Sequence, residues 1–109
     1  MSDTYKTLAQ SNPLAATLTD AYTVPGATSA VVSTITVANR SATGTAFRIS
    51  VAIAAAADAN EQYIAYDVAI GGNETISLTL GITLAATDKV RVYATLATLS
   101  FNIFGVERT

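Results

Sequence analysis

Thr75-Ile76-Ser77-Leu78-Thr79-Leu80-Gly81-Ile82-Thr83-Leu84 is the stretch that decides the fold class. Ile76, Leu78, Leu80, Ile82 and Leu84 fall on one side of an extended chain, and Thr75, Ser77, Thr79 and Thr83 on the other. Successive side chains of a strand point to opposite faces, so this period of two is the pattern of a half-buried β-strand. The same period recurs outward in both directions. Phe47, Ile49, Val51 and Ile53 oppose Arg48 and Ser50, and Val31, Ser33, Ile35 and Val37 oppose Val32, Thr34 and Thr36. Val90, Val92 and Ala94 oppose Lys89, Arg91 and Tyr93, and Phe101 and Ile103 oppose Ser100 and Asn102. Thr, Val and Ile also carry the branched Cβ that packs well on a pleated surface.

Turn residues punctuate these runs. Pro25-Gly26 follows Tyr22-Thr23-Val24, Arg40 to Gly44 separates two runs, Gly71-Gly72-Asn73 separates two more, and Ala85 to Asp88 precedes the run at 89–96. About seven or eight short strands follow from this spacing. No stretch has a 3.6-residue period long enough for a crossover helix, which favours a β-sandwich over a βαβ architecture. The expectation is an all-β chain forming a single antiparallel β-sandwich, immunoglobulin-like or jelly-roll-like in strand order. The four alanines that begin at Ala54 favour one helical turn or a loop over a continuous strand up to Asn60.

Two hairpins can be given a register by matching apolar residues with apolar ones. A three-residue loop at Gly71-Gly72-Asn73 sets Val68 against Ile76 and Tyr66 against Leu78. A turn at Ala97-Thr98 sets Ala94 against Phe101 and Val92 against Ile103, which places Arg91 opposite Phe104, where its guanidinium can cover the ring. The chain of 109 residues fits one domain able to bury a core without staples. Residues 1–13 read as an N-terminal arm or edge strand and 14–109 as the sandwich. An arm of this kind can lock onto a neighbour by adding a strand to an open sheet edge.

Composition removes most chemistry. The chain has no Cys and no His, so it has no disulfide, no thiolate ligand, no imidazole base and no imidazole ligand. No catalytic residue, metal site or cofactor is expected. A net charge of −2 gives no basic field for a nucleic acid. The N-terminal Met-Ser-Asp-Thr-Tyr-Lys lacks a basic region leading into an apolar run, and no segment reaches the ~20 apolar residues of a membrane span, so neither a signal peptide nor a membrane partner is expected. Only 13% of residues are charged and 50% are hydrophobic, which leaves a surface of Ala, Thr and Ser that sheds water readily.

The remaining polar residues read as structural. Asp58-Ala59-Asn60-Glu61 begins like a calcium loop but lacks the third oxygen ligand, the glycine and the distant glutamate, so Asp58 reads as an N-cap or turn residue. Most acids fall at strand ends or turns, and Asp67 is the one placed for burial within a strand. Tyr63 and Tyr66 fall on opposite faces of their strand, so at most one of them looks inward, and Tyr22 and Tyr66 read as core residues with the hydroxyl reaching out. The candidate contact residues are Tyr5, Lys6 and Leu8 in the N-terminal segment, and Asp58, Asn60, Tyr63 and Tyr93 elsewhere.

One succession of motifs has a family likeness. Leu18-Thr19-Asp20-Ala21-Tyr22-Thr23-Val24-Pro25 runs into Ala30-Val31-Val32-Ser33-Thr34-Ile35-Thr36-Val37-Ala38-Asn39-Arg40, followed by Phe47-Arg48-Ile49, Tyr63-Ile64-Ala65-Tyr66-Asp67 and Leu78-Thr79-Leu80-Gly81. Across about Leu14 to Gly105 the chain resembles small Thr- and Ala-rich virion-associated proteins of tailed phages. That resemblance implies a β-sandwich in the virion, as a capsid decoration (cement) protein or a small tail, neck or fibre component, made and assembled in the host bacterial cytoplasm. Its implied partners are the major capsid protein or other virion proteins and further copies of itself, with a trimer as the working stoichiometry. It supplies no catalytic residue. A carbohydrate- or host-surface-binding module using Tyr63 or Tyr93 is the alternative, on fold-level analogy.

Overall fold

The computed structural model describes residues 2–109. Eight strands appear in chain order: β1 Asp3–Ser11, β2 Thr19–Thr23, β3 Ser29–Asn39, β4 Thr45–Ala52, β5 Tyr63–Ile70, β6 Thr75–Leu84, β7 Lys89–Ala94 and β8 Leu99–Arg108. They form two antiparallel sheets of four strands, ordered β1-β8-β3-β6 and β2-β7-β4-β5. This order defines a jelly roll and excludes the immunoglobulin-like alternative. Between β4 and β5 the alanine-rich segment forms two single 3-10 turns, Ile53–Ala55 and Asn60–Gln62. Among the described residues, no helix is long and apolar enough to cross a membrane.

The inner faces carry most of the predicted stripes; Ile53, which alternation sets with Phe47, Ile49 and Val51, leaves β4 for a 3-10 turn and is exposed. Val37, Ile35, Phe101, Ile103 and Leu99 from one sheet meet Phe47, Ile49, Val90, Val92 and Ala94 from the other, all buried. Phe47 and Phe101 touch edge to face across the gap, with ring centroids 6.0 Å apart. Packed sheets stand about 10 Å apart, a gap that side chains of this size fill.

Neither expected hairpin exists. β5 pairs with β4 and β6 with β3; β7 pairs with β4 and β2, and β8 with β1 and β3. Val68 lies beside Phe47, not Ile76, and Ala94 beside Phe47, not Phe101. Arg91 does not cover Phe104; its Nε donates to Asp20 Oδ1 at 2.9 Å. The physical reason is that an apolar stripe is satisfied equally by a neighbour in its own sheet and by the sheet opposite. Of the seven connections only β4–β5 joins neighbours in one sheet. Gly71-Gly72 therefore serves a crossing. A Cβ on Gly72 would collide with the Ala42 backbone, and Asn73 N–H donates to Ser41 O at 2.8 Å. Buried Asn39 ties the same two loops, donating from Nδ2 to Thr43 O at 2.8 Å and to Gly71 O at 3.1 Å.

A seam of bulges crosses the β1-β8-β3-β6 sheet. Ser33 is extra on β3 relative to β8, Leu8 is extra on β1, and Leu80-Gly81 are bulged on β6 opposite Ser33. Gly81 has φ +63, the left-handed conformation that such a bulge favours in glycine. The seam changes the phase of β3. Val37 and Ile35 point inward on one side of it and Val32 and Ala30 on the other, so Val31 is exposed and Val32 buried, contrary to uniform alternation. Leu80 is likewise turned outward and is 46% exposed.

Asp88 is the acid that the fold buries, at 7% exposure, while Asp67 keeps half of its side chain exposed. Its Oδ1 accepts Ala54 N–H and its Oδ2 accepts Ala85 N–H, both at 2.9 Å, so one carboxylate joins the loop after β4 to the loop after β6. Asp58 caps no helix. The residue before the 3-10 turn is Ala59, and Asp58 accepts the Tyr63 hydroxyl at 3.1 Å.

Candidate functional site

The candidate contact residues fall at two separate places. Tyr5, Lys6 and Leu8 lie on β1, the edge strand of the β1-β8-β3-β6 sheet. Tyr63 lies on β5, the edge strand of the other sheet, with Asp58 and Asn60 leading into it and Tyr93 two strands away on β7.

On the β5 side, the outer face of the sheet gathers an aromatic cluster. Tyr63 and Tyr66 sit on the same face with ring centroids 5.1 Å apart and rings nearly perpendicular. Simple alternation puts them on opposite faces. Two irregularities in β5 overturn it: Tyr66-Asp67 together oppose Arg48, and Ile64 is extra opposite the Ile49-Ser50 step. Asp67, at φ +51, marks the first. Tyr66 is 57% exposed and is not a core residue. Arg48 lies between two rings, 4.2 Å from the Tyr66 centroid and 4.4 Å from that of Tyr93, and its Nε donates to Asp67 Oδ1 at 2.6 Å. A guanidinium over an aromatic face is attracted by the ring quadrupole. Burial, then the Asp58 carboxylate, raises the Tyr63 phenol above its usual range. The result is a cross-braced aromatic platform with one well-exposed ring, that of Tyr66. The sequence signal for it was the triple Tyr63, Tyr66, Asp67; the bulges that align it carry no glycine to announce them.

On the β1 side, Tyr5 is 80% exposed on the outer face, in register with Val106 and Val31, which extend a small apolar strip across three strands. Lys6 turns the other way. Its Nζ lies 2.8 Å from Glu107 Oε1, and the buried Tyr22 hydroxyl donates to Glu107 Oε2 at 2.5 Å. Glu107 thus joins β8 to β1 and to β2 of the opposite sheet. Four acids in strands serve as ion-pair partners: Asp3 with Arg108, Asp20 with Lys89 and Arg91, Glu107 with Lys6, and Asp67, the one acid that the sequence reading placed within a strand, with Arg48.

The Lys6 ammonium, then the Tyr22 hydroxyl, holds the Glu107 carboxyl below the usual carboxylate range. Asp3 beside Arg108 and Asp20 beside Lys89 are lowered in the same direction. A depressed folded-state pKa contributes stability above the unfolded carboxylate value, about 4.3, and loses it as pH falls through the folded value. Glu107→Gln is therefore expected to lower the melting temperature at neutral pH, with the gap from the parent closing below about pH 4. Calorimetric melts between neutral and strongly acidic pH check this; a gap that stays constant with pH rejects the assignment.

Among the described residues, no three or more His, Cys, Asp or Glu side chains gather to hold a metal ion. The fold is a jelly roll that carries an aromatic cluster on one outer face and a small apolar strip on the other. No family model matches the chain, and no curated protein matches it. Among solved structures, two crystal structures of a pentameric capsid protein isolated from metagenomic phage sequences are similar, at 16% and 15% identity over 97% of this chain, each with a TM-score of 0.42. This chain spans 65% and 63% of the length of those two chains.

Proposed function

We propose that the chain is a non-enzymatic structural component of a tailed-phage virion, most specifically a capsid decoration protein that stabilises the shell by contact with the major capsid protein and with copies of itself. The observation that carries this reading is the surface. Exposed Tyr5 and Val31 join through Val106 into one apolar strip across β1, β8 and β3, and exposed Tyr66 caps the aromatic cluster on the other sheet, on a background of Thr, Ser and Ala. Exposed apolar area beyond scattered single residues marks contact sites, and repetition over a shell multiplies a modest contact. The sequence resemblance to phage virion proteins supplies the kind of particle.

The test is to purify particles of the encoding phage with and without the gene, locate the chain by cryo-electron microscopy, and heat both. Density over shell subunits, with DNA release at lower temperature in its absence, is the expected result, and the same map gives the copy number and tests the trimer. Density on the tail, neck or fibre keeps the structural role and moves its place. Absence from the particle rejects the proposal.

The Tyr63–Tyr66–Tyr93 cluster favours a second reading, in which the exposed face of Tyr66 stacks a sugar ring of the host surface. Host adsorption unaffected by Tyr66→Ala, with no glycan-array signal, rejects it.

A further inference from the structure

An open sheet has edges, and a folded protein protects them with charge, shortness, bulges or cover. The four edge strands here are β1, β6, β2 and β5. β1 carries Asp3, Lys6 and a bulge at Leu8; β2 is five residues long, with Asp20 and a bulge; β5 carries Asp67 and two irregularities. β6 is ten residues long and has no charged residue. Its nearest acid, Glu74, is turned back onto its own loop, accepting Gly71 N–H at 2.9 Å. The one interruption is the Leu80-Gly81 bulge, which leaves Thr75–Thr79 as a regular run paired with β3 on one side only. Along it Thr75, Ser77 and Thr79 are exposed on the outer face, while Ile76 and Leu78 lean partly buried over the core.

We infer that β6 is a self-pairing edge: two copies of this chain join antiparallel through Thr75–Thr79, making one continuous eight-stranded sheet. The occupant is a second copy because the run is self-complementary. A two-fold axis at Ser77 sets Thr75 opposite Thr79 of the second copy and Ile76 opposite its Leu78, threonine against threonine on the outer face and aliphatic against aliphatic on the inner one. Cross-strand pairs of these kinds are favourable. The axis also keeps each Glu74 clear of its own mate and the bulge outside the ladder. The backbone N–H and C=O groups of the open edge supply the bonds. This pairing does not rest on the virion reading, since it concerns the isolated chain.

The chain has no cysteine, so one introduced thiol reports one contact. Ser77→Cys is expected to form a disulfide-linked dimer under mild oxidation, because directly opposed residues bring Cα atoms within disulfide reach. Thr83→Cys, exposed on the same strand, lies about 40 Å from its mate in this arrangement and is expected to stay unlinked. Sedimentation equilibrium supplies the second measurement. Ser77→Lys is expected to weaken self-association about tenfold or more by opposing like charges, with an unchanged thermal melt, and mixing it with Ser77→Glu restores association. Equal crosslinking at 77 and 83, no crosslink at 77, or a Ser77→Lys chain that associates like the parent each overturns the inference.

Discussion

Gly105→Ala is expected to destabilise the chain by about 3 kcal/mol or more, lowering the melting temperature by about 15 °C. Gly105 sits in β8 beside Val32, at the seam where Ser33 bulges from β3 and Leu8 from β1. A Cβ there would overlap the Val31 carbonyl oxygen and press on Leu8 Cδ1. The backbone oxygen cannot rotate away as a side chain can. Relief requires β3 and β8 to part, and those two strands form the centre of their sheet. Gly26→Ala is the matched control, because no atom lies within 4 Å of the position its Cβ would take. Its melt is expected within about 2 °C of the parent. Thermal melts of the two variants check the argument, and a Gly105→Ala chain as stable as the control shows that the seam yields.

That glycine also marks how far the sequence could be read. A glycine within a strand signals a bulge or a close approach of backbone, and Val31-Val32 ahead of Ile35 and Val37 places two apolar phases in one strand. Both hints were present, but neither says which neighbour approaches. The inward stripes at Val90–Ala94 and Phe101–Ile103, and the Ile76–Leu84 stripe apart from Leu80, which the bulge turns outward, were legible because period two has no competing explanation over such lengths. The partner of each stripe was not, because apolar matching holds within a hairpin and across a sandwich alike. Gly71-Gly72 looked like a hairpin turn for the same reason, and only the packing of Gly72 on Ala42 shows its use in a crossing. Of the contact residues, Tyr63 and Tyr93 lie near each other through Tyr66 and Arg48, a junction made by bulges that break the alternation used to read the strand. Asp88 escaped notice because a buried carboxylate that joins two loops looks, in sequence, like any acid in a turn.

Phe47→Ala is expected to cost about 3–5 kcal/mol, a large share of the 5–15 kcal/mol by which domains are usually stable. Phe47 is fully buried, flanked by Val68 and Ala94 in its own sheet, and meets Phe101 of the other sheet edge to face. Truncation removes the ring's transfer energy and opens a cavity that two sheets pinned at both ends by Asn39 and Asp88 cannot collapse to fill. The contact with Phe101 adds a separable part. Edge-to-face pairs are worth about 0.5–1.5 kcal/mol beyond area, so a cycle of Phe47→Leu, Phe101→Leu and the double variant is expected to show coupling of about 1 kcal/mol. Urea denaturation supplies all four stabilities. The hairpin reading predicted Phe101 against Ala94, where Phe47 plays no part. Strict additivity of the two leucine variants therefore argues against the stacked sheets, and a clear coupling places the two rings in contact, edge to face, across the layer that holds the jelly roll shut.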